Sequence, residues 1–292
     1  MAKIGDIAGI VRTGAKDAAD RVALVYEGAE LTWRELDERS SRAAQAFRNA
    51  GIGAEDRVAR IDKNTPEYFD ILFGTAKLNA VTVDVNWRLA PPEMLQIVND
   101  AQATVLVVGA EFLPHLEKIE GDLATVKTIV VCGSHATHPS WQDFTGSQPA
   151  EDPGVQAEPD DVCLQLYTSG TTGLPKGVML TNRNLFTFID EVAPTLGLGP
   201  DSVSMVVMPL FHIAGSGWSL VSLAMGAKTV MHREIDPNAI LAGVVEHRVT
   251  HAIYVPAVLQ VLLMMPGVDQ MDLSSLELIA YGASPITEAV LT

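Results

Sequence analysis

The chain has 292 residues, of which 48% are apolar and 19% charged, and its mean hydropathy is slightly positive. That balance excludes a disordered or fibrous chain, and the length suits two domains or one large α/β unit with a sizeable core. Acidic residues outnumber basic ones 36 to 20, giving a formal charge of −16. Such a surface repels phosphate backbones, and no basic cluster offsets it, so a nucleic-acid partner is not expected.

Two cysteines, Cys132 and Cys163, are too few for a disulfide framework and match no metal spacing. Both sit in apolar runs, as buried strand thiols would, which fits a reducing, cytoplasmic setting. The first twenty residues have scattered charges and no apolar core segment, so they do not read as a signal peptide. Residues 202–227 contain no Asp, Glu, Lys or Arg, yet they include Pro209, His212, several glycines and five serines. Strand, loop and buried helix fit that content better than a membrane span.

In chain order, Thr32-Trp33-Arg34-Glu35 has the form of a capping box, followed by Leu36, Ala43, Ala44 and Phe47 on one helical face. Thr65-Pro66-Glu67 marks a second helix start, with Phe69, Leu72, Phe73 and Ala76 as its buried stripe. β-rich runs at 81–85, 104–108 and 127–131 alternate with helical patterns and predict a parallel sheet built from βαβ units. Residues 148–161 are rich in proline, glycine and acid and read as a linker or long loop. They would separate a first lobe, 1–147, from a second, 162–292. The second lobe offers strands at 162–167, 203–208, 229–231, 252–255 and 276–281. Helices are expected to start near 182–184 and to span 237–247 and 257–265. A further helix start at Ser284-Pro285 comes only about two turns before Thr292, so the chain reads as truncated.

The strongest chemical signal is Tyr167-Thr168-Ser169-Gly170-Thr171-Thr172-Gly173-Leu174-Pro175-Lys176-Gly177. Glycines let backbone N–H groups approach an anion, hydroxyls at Thr168, Ser169, Thr171 and Thr172 add neutral donors, and Lys176 adds a mobile positive charge. A phosphate cradle is the expectation. It is not a Walker loop: Pro175 stands where the second glycine is needed, and Gly177 replaces the magnesium-binding Ser or Thr. A phosphotransferase is disfavoured on that ground.

The loop resembles the signature of adenylate-forming enzymes, the AMP-binding superfamily of acyl-CoA synthetases, luciferases and peptide-synthetase adenylation domains. Met208-Pro209-Leu210-Phe211-His212-Ile213-Ala214-Gly215 and Ala280-Tyr281-Gly282-Ala283-Ser284-Pro285 resemble two further motifs in the same order. So do Leu31-Thr32-Trp33-Arg34-Glu35-Leu36 and Asn86-Trp87-Arg88-Leu89, and the resemblance covers nearly the whole chain. It implies the α/β large domain of these enzymes, with two lobes of layered sheets and helices, incomplete at the C-terminus and without the small lid domain.

The resemblance also implies a two-step ligase that uses ATP, Mg²⁺ and coenzyme A. A carboxylate, taken as a fatty acid, attacks the α-phosphate to give acyl-AMP and pyrophosphate, and coenzyme A then forms the thioester. Lys176 would hold the β- and γ-phosphates, with Thr168, Ser169, Gly170, Thr171, Thr172 and Gly173 fixing the phosphate chain. His212 would stand near the acyl carboxylate, and Gly282, Ala283 and Ser284 would face the adenine. Gly215, Ser216 and Gly217 are small enough to leave an acyl channel, with Trp218, Val255, Ala257 and Val258 as candidate lining or plain core.

No metal-ligating set is expected: His135-x-x-His138 has no acid pair nearby, and His247 and His251 lack the zinc-protease glutamate. An aryl-CoA ligase and a non-catalytic nucleotide-binding fragment remain alternatives, and on the truncated reading the chain alone would not complete the reaction. A long-chain substrate would favour peripheral membrane contact, although no basic amphipathic helix supports it.

Overall fold

The computed structural model describes residues 4–168 and 174–287. Its helices in chain order are α1 (Ile7–Ala18), α2 (Trp33–Asn49), α3 (Glu67–Ala76), α4 (Pro91–Asp100) and α5 (Leu113–Ile119). There follow α6 (Trp141–Gly146), α7 (Asn182–Leu196), α8 (Ile213–Ala224), α9 (Pro237–His247) and α10 (Pro256–Leu263). The strands are β1 (Val22–Tyr26), β2 (Ala29–Thr32), β3 (Arg57–Ile61), β4 (Val81–Asp84), β5 (Val105–Gly109) and β6 (Thr128–Cys132). Then come β7 (Val162–Thr168), β8 (Lys176–Thr181), β9 (Val203–Val206), β10 (Lys228–Met231), β11 (His251–Tyr254) and β12 (Leu278–Tyr281). The expected α/β class therefore holds, with two six-stranded sheets.

The first sheet runs β6-β5-β3-β4-β7-β8, parallel throughout except for β8, which pairs antiparallel with β7. Alternation along each strand assigns its side chains to opposite faces. Ala59, Ile61, Leu106 and Val108 share a core with Met94 and Ile97 of α4, whereas Val58, Val105 and Val107 share another with Phe47 of α2. Both faces are covered, which is why a strand such as β5 reads as a continuous apolar run. Helix α3 is buried from Tyr68 to Ala76 rather than along one stripe. It tolerates this because Asp70, its buried acid, accepts hydrogen bonds from the Arg39 guanidinium of α2 at 2.6 and 2.9 Å.

The second sheet runs β12-β11-β9-β10-β1-β2, again parallel except for its last strand. Met205 and Ala252 on β9 and β11 pack with Ile240, Val244 and Leu262 of α9 and α10. Residues 202–227 form β9, a loop and the buried helix α8. Among the described residues no helix is long and apolar enough to cross a membrane.

The chain divides into two compact units, Met1–Arg21 with Trp33–Phe188, and Val22–Thr32 with Ile189–Thr292. The division expected at 148–161 is corrected: β7 and β8 belong to the first unit's sheet, and the early hairpin β1–β2 to the second unit's. Nor is 148–161 a free linker. Arg42 donates to the Gln148 carbonyl at 2.6 Å and Gln45 to the Glu151 carbonyl at 2.7 Å. Arg12 grips the Asp152 carboxylate with two bonds of 2.9 Å. The segment is a strap held to α1 and α2.

Partial burial raises the Asp152 carboxyl, but Arg12, the Gly154 N–H and Lys77 outweigh it and hold the group below the usual carboxylate range. A depressed folded-state value means that the stabilisation is present at neutral pH and disappears as pH falls through that value. Asp152→Ala is therefore expected to cost about 2 kcal/mol in urea unfolding at pH 7, the worth of hydrogen bonds to a charged group. The two unfolding curves should converge as the pH drops below the ordinary carboxylate range.

Candidate functional site

Thr168 and Lys176 are the last cross-strand pair before the segment that connects β7 to β8, and both side chains are exposed. Ser169, Gly170, Thr171, Thr172 and Gly173, the centre of the expected cradle, lie outside the described residues. The described flanks add a strand, β8, that the sequence reading did not include. The segment joins strand to antiparallel strand, with α7 beginning only after β8. Lys176 thus opens a strand and is not on a helix, unlike the lysine of a Walker loop.

Tyr167 and Gly177 form the next pair down the hairpin. A Cβ on Gly177 would fall 2.4 Å from Gln165 Nε2 and 3.0 Å from the Tyr167 hydroxyl, so glycine is required for these side chains to cross the strand. Sequence reasoning treated Tyr167 only as the first letter of a motif and missed its partner, Asp100.

In the second unit, parallel pairing sends the ends of β12, β11 and β9 to one edge of the sheet, in that order. That edge carries Gly282, Ala283 and Ser284 after β12, Val255 after β11, and residues 207–212 after β9. Ligands of open α/β sheets bind at such carboxyl edges. His212 caps α8: its Nδ1 accepts a hydrogen bond from the Ala214 N–H at 3.1 Å. The ring is exposed rather than a satisfied core histidine, and with Nδ1 an acceptor the neutral ring carries its proton on Nε2. Gly282 has open space where a Cβ would stand, and Ala283 adopts a left-handed φ of 67° that an L side chain rarely takes.

The expected acyl channel at Gly215 is corrected. A Cβ there would lie 2.3 Å from the Pro209 carbonyl oxygen and 2.4 Å from that of Met208, so the missing side chain admits backbone. Ser216, which donates its hydroxyl to the His212 carbonyl at 3.1 Å, is buried, as are Gly217 and Trp218. Val258 belongs to the α9–α10 core, Val255 is half-buried and Ala257 is exposed. Thr168 and Lys176 belong to the first unit, and His212, Gly282, Ala283 and Ser284 to the second.

Three other histidines have structural partners. His251 is buried, with Nε2 2.9 Å from the Leu196 carbonyl and Nδ1 2.7 Å from the Thr250 hydroxyl. His135 stacks on His138, which lies 3.1 Å from Glu120. Among the described residues no group of three or more His, Cys, Asp or Glu is placed to hold a metal.

The family model of the AMP-binding enzymes matches residues 11–292. The chain belongs to that family. A curated relative, the fatty acid–[acyl-carrier-protein] ligase ScoC of Streptomyces coeruleorubidus, is 36% identical over 92% of this chain and 51% of its own length. A feruloyl-CoA synthase of Amycolatopsis sp is 35% identical over 93% of this chain and 53% of its own. This AMP-binding chain thus spans about half the length of the curated relatives it matches. The inhibitor-bound N-terminal domain of FACL13 from Mycobacterium tuberculosis superposes with a TM-score of 0.92 at 28% identity, over 98% of this chain and 72% of that one. The anthranilate CoA ligase AuaEII, solved with anthranoyl-AMP, gives 0.93 at 27%, over 98% and 56%.

Within this AMP-binding fold, Gly215 is the position at which α8 meets the turn that leads to His212. Gly215→Ala must displace backbone, and is expected to cost about 2–3 kcal/mol, the upper range for overpacking. Chemical denaturation of the variant beside the wild type measures it.

Proposed function

We propose that this chain supplies the ATP- and acid-binding part of an acid–thiol ligase. A carboxylate substrate attacks the α-phosphate of ATP and expels pyrophosphate, and the coenzyme A thiol then displaces AMP from the acyl-adenylate. The observation that carries this reading is the exposed Lys176 ammonium standing across from the Thr168 hydroxyl at the mouth of the hairpin. A carboxylate is a weak nucleophile approaching a polyanion, so catalysis requires charge neutralisation and alignment. Lys176 neutralises the β- and γ-phosphates that leave, while Thr168 and Ser169–Gly173 fix the phosphate chain. His212, with Nδ1 engaged by the helix, offers Nε2–H to the substrate carboxylate. Gly282, Ala283 and Ser284 form the turn that lies against adenine. Mg²⁺ carried on ATP would supply charge neutralisation at the departing pyrophosphate.

The acid is a fatty acid in this reading, as in the name of ScoC. An aryl acid is the second reading, favoured by the similarity to a feruloyl-CoA synthase and by the closed space at Gly215. In this reading the protein works in the cytoplasm, a setting in which the free thiols of Cys132 and Cys163 would stay reduced.

The test is acid-dependent exchange of labelled pyrophosphate into ATP, with octanoate, palmitate, ferulate and benzoate offered in turn. It is run on this chain and on a fusion of it to the second half of ScoC. Lys176→Ala is expected to lower exchange by about 10²–10³-fold, the usual loss when one electrostatic donor to the transition state is removed. A folded fusion that binds ATP yet exchanges nothing with any acid would leave a non-catalytic nucleotide-binding protein.

A further inference from the structure

The phosphate hairpin is tied to a helix by a side-chain bridge one pair below Thr168–Lys176. The Tyr167 hydroxyl donates to Asp100 Oδ2 at 2.6 Å and accepts from Gln165 Nε2 at 2.9 Å. Asp100 is the last residue of α4, where the helix dipole disfavours a carboxylate, so local helix chemistry does not account for an acid there. The ring of Tyr167 packs against the α4 core, and its hydroxyl covers the face of Gly177. Tyr167–Gly177 is the pair directly beneath Thr168–Lys176, so whatever fixes the first pair fixes the angle at which Lys176 leaves the sheet. Burial, reinforced by Asp100, raises the Tyr167 hydroxyl above its ordinary value, which keeps it a donor across the working pH range.

We infer that Tyr167 and Asp100 are positioning residues for phosphate binding: their hydrogen bond, braced by Gln165 and by the missing side chain of Gly177, holds the hairpin that presents Lys176. This deepens the ligase reading and rests on it. Gln165 is buried and Tyr167 half-buried, while Asp100 is exposed, so the bridge can be cut at Asp100 without opening the core.

The experiment measures Mg·ATP binding by calorimetry on the 292-residue chain, with thermal unfolding recorded for every variant. Tyr167→Phe and Asp100→Ala should each weaken binding about tenfold, the scale of one hydrogen bond to a charged group. Asp100→Asn keeps an acceptor and should recover affinity to within about threefold of wild type. The deciding comparison is Tyr167→Phe in a Lys176→Ala background, where its penalty should shrink to about twofold or less, because coupled residues are not additive. An undiminished penalty there, or no penalty in the wild-type background, overturns the positioning role while leaving the phosphate cradle intact. If the wild type binds no ATP, or Lys176→Ala binds it unchanged, the proposed function itself fails and the positioning role goes with it.

Discussion

Parallel pairing is the constraint from which the arrangement of the site follows. Each sheet carries five parallel strands, so every loop leaving a strand's carboxyl end within a sheet emerges on the same edge. In the second unit this alone places Gly282, Val255 and His212 in a row, since β12, β11 and β9 are neighbours. In the first unit it sets Thr168 on the edge that also carries Asn86-Trp87-Arg88, beyond β4. Each sheet then closes with one antiparallel strand, and β7–β8 is the reversal that carries Thr168 and Lys176. A hairpin can be braced by side chains that cross from one arm to the other, as Tyr167 and Gln165 of β7 do over Gly177 of β8, the residue next to Lys176.

The charged groups divide into two kinds by burial. Arg60 is fully buried at the carboxyl end of β3 and donates to Asp84 at 3.0 Å, to the Thr65 hydroxyl at 3.1 Å and to the Asp62 carbonyl at 3.3 Å. It therefore joins the ends of β3 and β4 to the start of α3. Burial pushes the Asp84 carboxyl up to about 6, against the pull of Arg60. A buried pair of this kind adds little net stability over an apolar one, but losing one partner strands the other charge. Lys77 follows the same logic, buried and hydrogen-bonded to Asp37, Ser40 and Ser41. Lys176 is the opposite case: its charge stays exposed at the hairpin mouth, where a polyanion can reach it.

Much of this was legible in local sequence, and what was not has identifiable causes. Apolar runs such as 104–108 announce buried parallel strands, and Asp236-Pro237 announces α9, which the Asp236 carboxylate caps. Strand β3 escapes notice because Arg57 and Arg60 interrupt its apolar pattern, and only the fold supplies Arg60 with acids from elsewhere. Strand β8 opens with Lys-Gly and exposes Val178 and Met179, so its pairing with β7 leaves no alternation to detect. The turn at Glu27-Gly28, with positive φ at both residues, was the available signal for β1–β2. The strap at 148–161 looks like a linker because its partners, Arg12, Arg42 and Gln45, lie more than a hundred residues away. Proline, glycine and acid mark irregular backbone, and composition carries no information on whether that backbone is tethered.

The second unit's motif residues around His212 are held by contacts that use their own polar atoms. His212 Nδ1 terminates α8, its carbonyl accepts from Gly215, Ser216 and the Ser216 hydroxyl, and Gly215 lets that first turn press on the Met208 and Pro209 carbonyls. The helix thereby fixes the ring's tautomer and direction before any substrate arrives. That is preorganisation: an Nε2–H held in place needs no reorientation to meet an acceptor. The same coupling means that a histidine at this position cannot be judged by hydrogen-bonding capacity alone. Losing it uncaps α8 as well as removing a donor, whereas a replacement that kept only the cap would isolate the ring's second nitrogen.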